Sequence, residues 1–233
     1  MVGQKAYIPP VGPGPTTLVA GDTAAGFYGE VTGEELITYG ALSTSVGLSA
    51  GTLINDSTSV WLKFALDGKT LFISKKRVRN EISWEDIYNI GAVYGTGDTG
   101  THPINGGVIQ DRTVTIGQNI FKVRNLKGAA EDPVPNLAYA THTDPIETAG
   151  SEWNRLLYPV HRDDPAGWAT YNNGDLEFGT GVVSYGSHVQ ETFETDTTKR
   201  ISRGVNGYNT LGGVELTTNR VIEGWRPVLE LIE

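Results

Sequence analysis

The sequence predicts an α+β fold rich in strands and loops, preceded by an extended N-terminal arm. Three observations predict it. Residues 60–94, VWLKFALDGKTLFISKKRVRNEISWEDIYNIGAVY, read as strand, tight turn, strand and capped helix. Thirty glycines and eleven prolines in 233 residues, with many Asn, Asp and Thr, call for many turns and few long helices. The chain closes on Gly224–Leu231, GWRPVLEL, a terminal strand of the kind that pairs back into a sheet.

Residues 1 to about 26 are extended. Pro9, Pro10, Pro13 and Pro15, with Gly12 and Gly14, forbid helix and a central strand. Such a segment is a flexible tail or an arm that orders against a neighbouring subunit. Its low charge and its Tyr7, Ile8 and Val11, flanking Pro9 and Pro10, favour the docked arm. Thr32 and Glu35 fit a capping box, which predicts a short helix over 33–40 and a further turn near 43–47 closed by Gly47 and Gly51. A polar loop, 55–58, leads into the central hairpin.

In that hairpin Val60, Leu62 and Phe64 alternate with Trp61, Lys63 and Ala65, the period of a half-buried strand. Asp67-Gly68 is a two-residue turn signal, because both positions tolerate positive φ. Leu71 to Ile73 return, and the basic run of Lys75, Lys76, Arg77 and Arg79 is read as a strand end in water. Ser83 with Asp86 caps a helix whose apolar face is Trp84, Ile87, Tyr88 and Ile90. Residues 95–107 form a surface loop. Short strands are expected at 108–110, 114–116 and 120–123, the last two joined at Gly117-Gln118-Asn119. The run 127–150 is a long loop. Ser151 opens a second helix with Trp153, Leu156 and Leu157 on one face, ended by Pro159. Residues 160–220 read mostly as loop, with one candidate strand at 181–185.

The totals exclude several chemistries. With no cysteine, thiol nucleophiles, thiolate metal sites and redox pairs are ruled out. A net charge of −9 and one short basic run argue against nucleic-acid binding. MVGQKAYIPP lacks the apolar centre of a signal peptide, and no window holds the roughly 20 apolar residues of a membrane span, so a soluble chain made in a cytoplasm is expected. There is no GxSxG, HExxH or Walker-type loop. Of the four histidines, His161 with Asp163 and Asp164 makes the best local cluster, and a loop of Asx-turns explains it as simply as a ligand set does. The adjacent acids Glu131-Asp132 and Asp163-Asp164 read as solvated turns. Four tryptophans, Trp61, Trp84, Trp153 and Trp225, sit among apolar neighbours as core. Trp168, with nearby Tyr171, is expected to be exposed or interfacial.

Two sets of blocks carry a resemblance. One is GPTTLVAGDTAAGFYGEVTGEELI (14–37) with WLKFALDGKTLFISKKRVR (61–79) and SWEDIYNIGAVYG (83–95); the other is SEWNRLLYPV (151–160) with GWRPVLELI (224–232). Together they resemble virion structural proteins of tailed bacteriophages, the tail-fibre or decoration-like components. The spacing of the second set also resembles the C-type-lectin-like fold shared by phage tropism proteins and formylglycine-generating enzymes. That enzyme branch relies on cysteines, which this chain lacks. The EPN, QPD and WND motifs of calcium-dependent lectins are absent, and Trp153-Asn154-Arg155 lacks the acid.

The resemblance implies an arm and small helical attachment module over 1–58 and a C-type-lectin-like domain over 59–233. It implies a non-enzymatic virion component, homo-oligomeric, docked on other virion proteins through its arm and loops, with no catalytic, metal or cofactor site. The alternative is adhesion, in which the loops of 127–150 and 160–220 touch a host-surface glycan or protein. His161, Asp163, Asp164, Trp168 and Tyr171 are then the binding candidates, and Tyr7, Ile8, Pro9, Pro10 and Val11 the attachment arm. No membrane insertion is expected, and the site of action is the virion.

Overall fold

The computed structural model describes residues 12–134, 149–180 and 185–232. In chain order the elements are β1 (Ala20–Gly21), β2 (Ala25–Thr32), α1 (Tyr39–Val46), β3 (Thr52–Leu53), β4 (Val60–Leu66), β5 (Lys69–Ser74), β6 (Arg79–Asn80) and α2 (Trp84–Asn89). There follow β7 (Thr113–Ile116), β8 (Asn119–Asn125), one wide turn over Trp153–Leu157, β9 (Gly186–Thr192), β10 (Lys199–Arg203), β11 (Leu211–Glu215), β12 (Glu223–Trp225) and β13 (Pro227–Leu231). They form a seven-stranded sheet, β1-β2-β4-β5-β13-β8-β7, and a six-stranded sheet, β11-β10-β9-β12-β6-β3. The chain is β-rich with few helices, and among the described residues no helix is long and apolar enough to cross a membrane.

The central hairpin forms where it is expected, with Leu66 opposite Lys69 around Asp67-Gly68. Its first strand is buried on both faces, however. Leu62, Phe64 and Leu66 enter one core with Trp153, Leu156 and Leu157, while Trp61 enters a second core with Tyr39, Trp84 and Leu229. Lys63 shares the second face. Two-sided burial erases the polar half of the alternation, as in a sheet covered by chain on both sides.

The basic run is corrected in the same way. Arg77 and Arg79 are buried. Arg79 donates to the carbonyls of Ala50, Ser49 and Gly51 at 2.7, 3.1 and 2.8 Å. Arg77 pairs with Glu177 at 3.3 Å. These guanidiniums hold backbone carbonyls that no strand partner reaches.

The capping box Ser83/Asp86 is present and starts α2. The Thr32/Glu35 pair also forms reciprocal bonds of 2.9 and 3.2 Å, but it closes a single turn. The helix starts later, at Tyr39, capped by Thr38 and ended at Gly47, whose φ of 75° suits glycine. Tyr39 explains the shift, since its hydroxyl donates to Val60 O at 2.6 Å and draws the first turn into the core. The boundary expected at residue 58 falls inside one sheet. β2 pairs with β4 from Ala25↔Leu66 to Thr32↔Val60, and α1 shares a core with α2. Residues 12–58 are therefore integral to the body.

β7 and β8 form the expected hairpin, whereas 108–110 belongs to no strand. The turn at 153–157 buries Trp153, Leu156 and Leu157 as expected. The loop expected over 160–220 instead contains the antiparallel β9, β10 and β11. Their sequences, GSHVQET, KRISR and LGGVE, hide the strand period because buried positions carry His, Gln, Glu and Arg. Residues 181–184 of the candidate strand lie outside the described residues.

The two sheets are joined where two chains change sheet side by side. β5 ends at Ser74 in the first sheet and β6 begins at Arg79 in the second; β12 and β13 make the reverse passage at Arg226. Gly224 lets β12 lie against β6, because a side chain there would collide with the Arg79 carbonyl. Arg226 is buried, and its guanidinium donates to Ser74 O at 2.9 Å, Lys75 O at 2.5 Å, Leu176 O at 2.5 Å and Ser187 Oγ at 3.1 Å. Replacing it by Met strands these acceptors in the interior. Arg226→Met is expected to lower unfolding free energy by about 3 kcal/mol or more, with Arg226→Lys recovering less than half. Urea denaturation of the three proteins measures this, and a Met variant within error of the parent would remove Arg226 from its structural role.

Candidate functional site: a charged cleft between the sheets

A bulge in β9 builds one wall of the site. Between the pairs Arg200↔Thr192 and Ser202↔His188, β9 runs through two more residues than β10. Such bulges re-aim side chains. Here the bulged segment bonds to the end of β8, with Gln190 N and Nε2 donating to Leu126 O and Asn125 O at 3.2 and 2.8 Å. Glu191 is thereby turned toward the first sheet, where its Oε2 accepts from Gly128 N at 2.9 Å.

The opposite wall is the charged face of β8, β13 and β5. Lys122 lies directly across from Glu230, and Arg124 is two residues on along the same face. Arg124 donates from both terminal nitrogens to Glu152 at 2.7 Å and from Nε to Glu230 at 3.0 Å. Glu230 in turn accepts from Lys69 at 2.8 Å. Burial opposes the Arg124 charge, but the two carboxylates outweigh it and raise its pKa. Burial likewise acts to raise the Glu230 pKa, and Arg124 and Lys69 outweigh that and lower it.

Between the walls lies a cleft of about 390 Å³ lined by both sets of residues, with Tyr94 and Asp132. That volume is within the range of small-molecule sites. Asp132 Oδ1 accepts from Thr192 N at 3.0 Å and stands 3.3 Å from His102 Nε2. Burial raises the Asp132 pKa in spite of that bond. Burial also pushes Glu191 up to about 8, and the nearby Asp132 charge adds to the shift. At neutral pH Glu191 is a neutral carboxyl, able both to donate and to accept. The Tyr94 hydroxyl is buried near the His102 backbone, and its proton has no acceptor among the described residues. No group of three or more metal-ligating side chains occurs among the described residues.

The residues singled out from sequence lie elsewhere, and none of the five lines this cleft. His161 and Tyr171 face each other across a short parallel bridge. The His161 ring is buried and stacked on Tyr208 at 4.0 Å, and its Nδ1 accepts from Asp163 N at 3.2 Å. Burial lowers its pKa. Asp163 is exposed, and Asp164 closes an Asx-turn on Ala166 N at 2.8 Å. Trp168 is half-buried against the first core and Gly21. Tyr171 donates to Glu30 at 2.7 Å, and Lys75 sits 4.3 Å above its ring. Its bonds thus fasten the loop to β2. The arm residues Tyr7 to Val11 lie outside the described residues.

Glu191, Arg124 and Glu230 are not among the residues expected from sequence. Two of them did leave a signal, a charge set inside an apolar strand, in IFKVRNL and VLELI. Asp132, read as a solvated turn acid, is half-buried because Thr192 and Val134 draw its loop onto β9. Comparison of the chain with family models, curated proteins and solved structures finds no match.

The raised Glu191 pKa has a signed consequence. Folded chain keeps this proton up to about pH 8, unfolded chain only to its ordinary 4.5. The folded state holds more protons in that window, so the contribution is complete below 4.5 and is lost as pH rises through 8. Buried His188, lowered to about 4 from 6.5, acts oppositely below pH 6.5, and Glu223, raised by burial to about 7, adds to the Glu191 effect. Between pH 6.5 and 8 Glu191 by itself is expected to lower stability by up to about 1.4 kcal/mol per pH unit, with Glu223 steepening the lower part, and Glu191→Gln to flatten the upper part of that slope. Denaturant melts of both proteins across this range decide it; parallel slopes would show that Glu191 is already ionised.

Proposed function

We propose that the chain is a non-enzymatic structural component of a tailed-bacteriophage virion, a decoration or tail/fibre-associated protein. In this reading a C-type-lectin-like scaffold docks on other virion proteins, and on copies of itself, through its N-terminal arm and loops. It is made in the host cytoplasm and acts in the virion. The resemblance of the sequence blocks motivates the reading. A terminal strand that returns to the centre of the sheet, with long irregular stretches between strands, supports the lectin-like scaffold.

The observation that carries the attachment role is the anchorage of the arm. Residues 12–15 lie against the first sheet, with Gly12 beside Phe72 and Leu231 and Gly14 beside Val31. The buried Lys63 ammonium donates to Pro13 O at 2.9 Å and Pro15 O at 2.7 Å, with Gly12 O at 3.5 Å. Tyr28 and Phe72 flank the same ammonium at 5.2 and 5.6 Å. Burial lowers its pKa to about 8, so at neutral pH it remains charged and holds the carbonyls. Gly12 is thereby held beside Phe72 and Leu231. Tyr7, Ile8, Pro9, Pro10 and Val11 follow directly from that point and would extend onto a neighbouring subunit. Part of the arm expected to dock in trans, residues 12–26, packs instead on its own chain.

The second reading is adhesion to a host-surface glycan or protein, and the charged cleft is the observation that favours it. Particles assembled with protein lacking residues 1–11 separate the two. Loss of the folded, monodisperse variant from purified particles is the expected result. Normal incorporation would end the arm hypothesis and make adsorption to host cells the next measurement.

A further inference from the structure

We infer that the cleft between the sheets binds an acidic saccharide or polyol, a hydroxyl-rich unit bearing one carboxylate or phosphate. Lys122 and Lys127 would take the anionic group at the mouth, and Glu191, Asp132 and Tyr94 the hydroxyls at the floor. The inference gives the adhesion reading a ligand class and rests on that reading for its biological use.

Charge bookkeeping within the cleft supports an anion at the mouth. Arg124 and Lys69 are neutralised by Glu152 and Glu230. Lys122 and Lys127 line the same cleft and have no carboxylate partner among the described residues. Glu131 also lines the cleft, but it is exposed, so water and salt weaken its repulsion of a bound anion. The lining carries four cations and five carboxyls and is not positive as a whole; Lys122 and Lys127 are the cations in it left to meet an anion.

The floor supports hydroxyl groups. Burying a hydroxyl without a partner is unfavourable, and the Tyr94 proton has no acceptor among the described residues. Glu191 offers a donor and an acceptor in one group, and the remaining oxygen of Asp132 is an acceptor beside it. Vicinal hydroxyls, each a donor and an acceptor, fit that alternation. Few apolar side chains line the cleft, so a lipid or aromatic ligand has little to bury.

The test uses the full chain in titration calorimetry. The probes are a glucuronate-containing disaccharide, glycerol 3-phosphate, maltose and inorganic phosphate. Binding of at least one acidic probe is expected, about tenfold or more tighter than maltose and than phosphate alone. The disaccharide and the phosphate ester distinguish a uronic acid from a phosphorylated polyol as the source. Lys122→Gln with Lys127→Gln should weaken that binding about tenfold without lowering Tm. Tyr94→Phe should also weaken it, while Tm holds or rises, because the variant removes an unsatisfied group. A structural role for Tyr94 would lower Tm instead. No binding below about 10 mM, equal binding of maltose, or phosphate binding as tight as the esters would each overturn the inference. The virion reading would survive any of these, since it is decided by incorporation into particles. Normal incorporation of the variant lacking residues 1–11, conversely, would leave the titration result intact.

Discussion

The two sheets depend on one buried guanidinium. Arg226 stands where β12 becomes β13, beside the passage from β5 to β6, and bonds to the Ser74 and Lys75 carbonyls of that neighbouring passage. No carboxylate among the described residues neutralises it by direct contact; the charge is spread over carbonyl and hydroxyl oxygens and the face of Phe178 at 5.2 Å. Burial lowers its pKa only to about 10, so it keeps its proton at neutral pH. A strand that changes sheet leaves backbone acceptors without ladder partners. A planar fork of five donors can satisfy several at once, which a lysine ammonium cannot match in geometry.

The same device recurs wherever chain without regular pairing must be buried. Arg79 gathers three carbonyls of the loop before β3, and Arg203 bonds to Gly128 O, Thr210 O and the Tyr158 hydroxyl. Lys63 does so for the N-terminal strap. This explains how a chain so rich in glycine and loop holds two apolar cores together. Cations placed among backbone oxygens do the work that helices and further strands do in other β-rich proteins.

The cleft follows from this construction. Sheets joined by a crossover at one place diverge elsewhere, and the β9 bulge turns Gln190 and Glu191 into the gap. Buried polar groups there are partly satisfied by Gly128 and Leu126, and the Tyr94 hydroxyl is left over. A rigid frame that holds unsatisfied polar groups in a concave space is already organised for a ligand, so little ordering would accompany binding.

Local chemistry was legible from sequence where it is set by neighbours along the chain. The Asp67-Gly68 hairpin, the Ser83/Asp86 cap, the Gly117-Gln118 turn, the apolar face of Trp153, Leu156 and Leu157, and the returning terminal strand were all readable, because turn geometry, capping and short-range periodicity act within a few residues. The four core tryptophans were readable for the same reason. What only the tertiary structure decided involves partners far apart in sequence. Burial of Arg77, Arg79 and Lys63 depends on oxygens 28 or more residues away. The strands β9 to β11 carry polar residues whose burial is compensated by distant hydrogen bonds, so no hydrophobic period betrays them. The site pairs Asp132 with Glu191 and Arg124 with Glu230 across separate strands. A charge in a sequence is solvated by default, and only the fold determines which charges are enclosed and what they meet there.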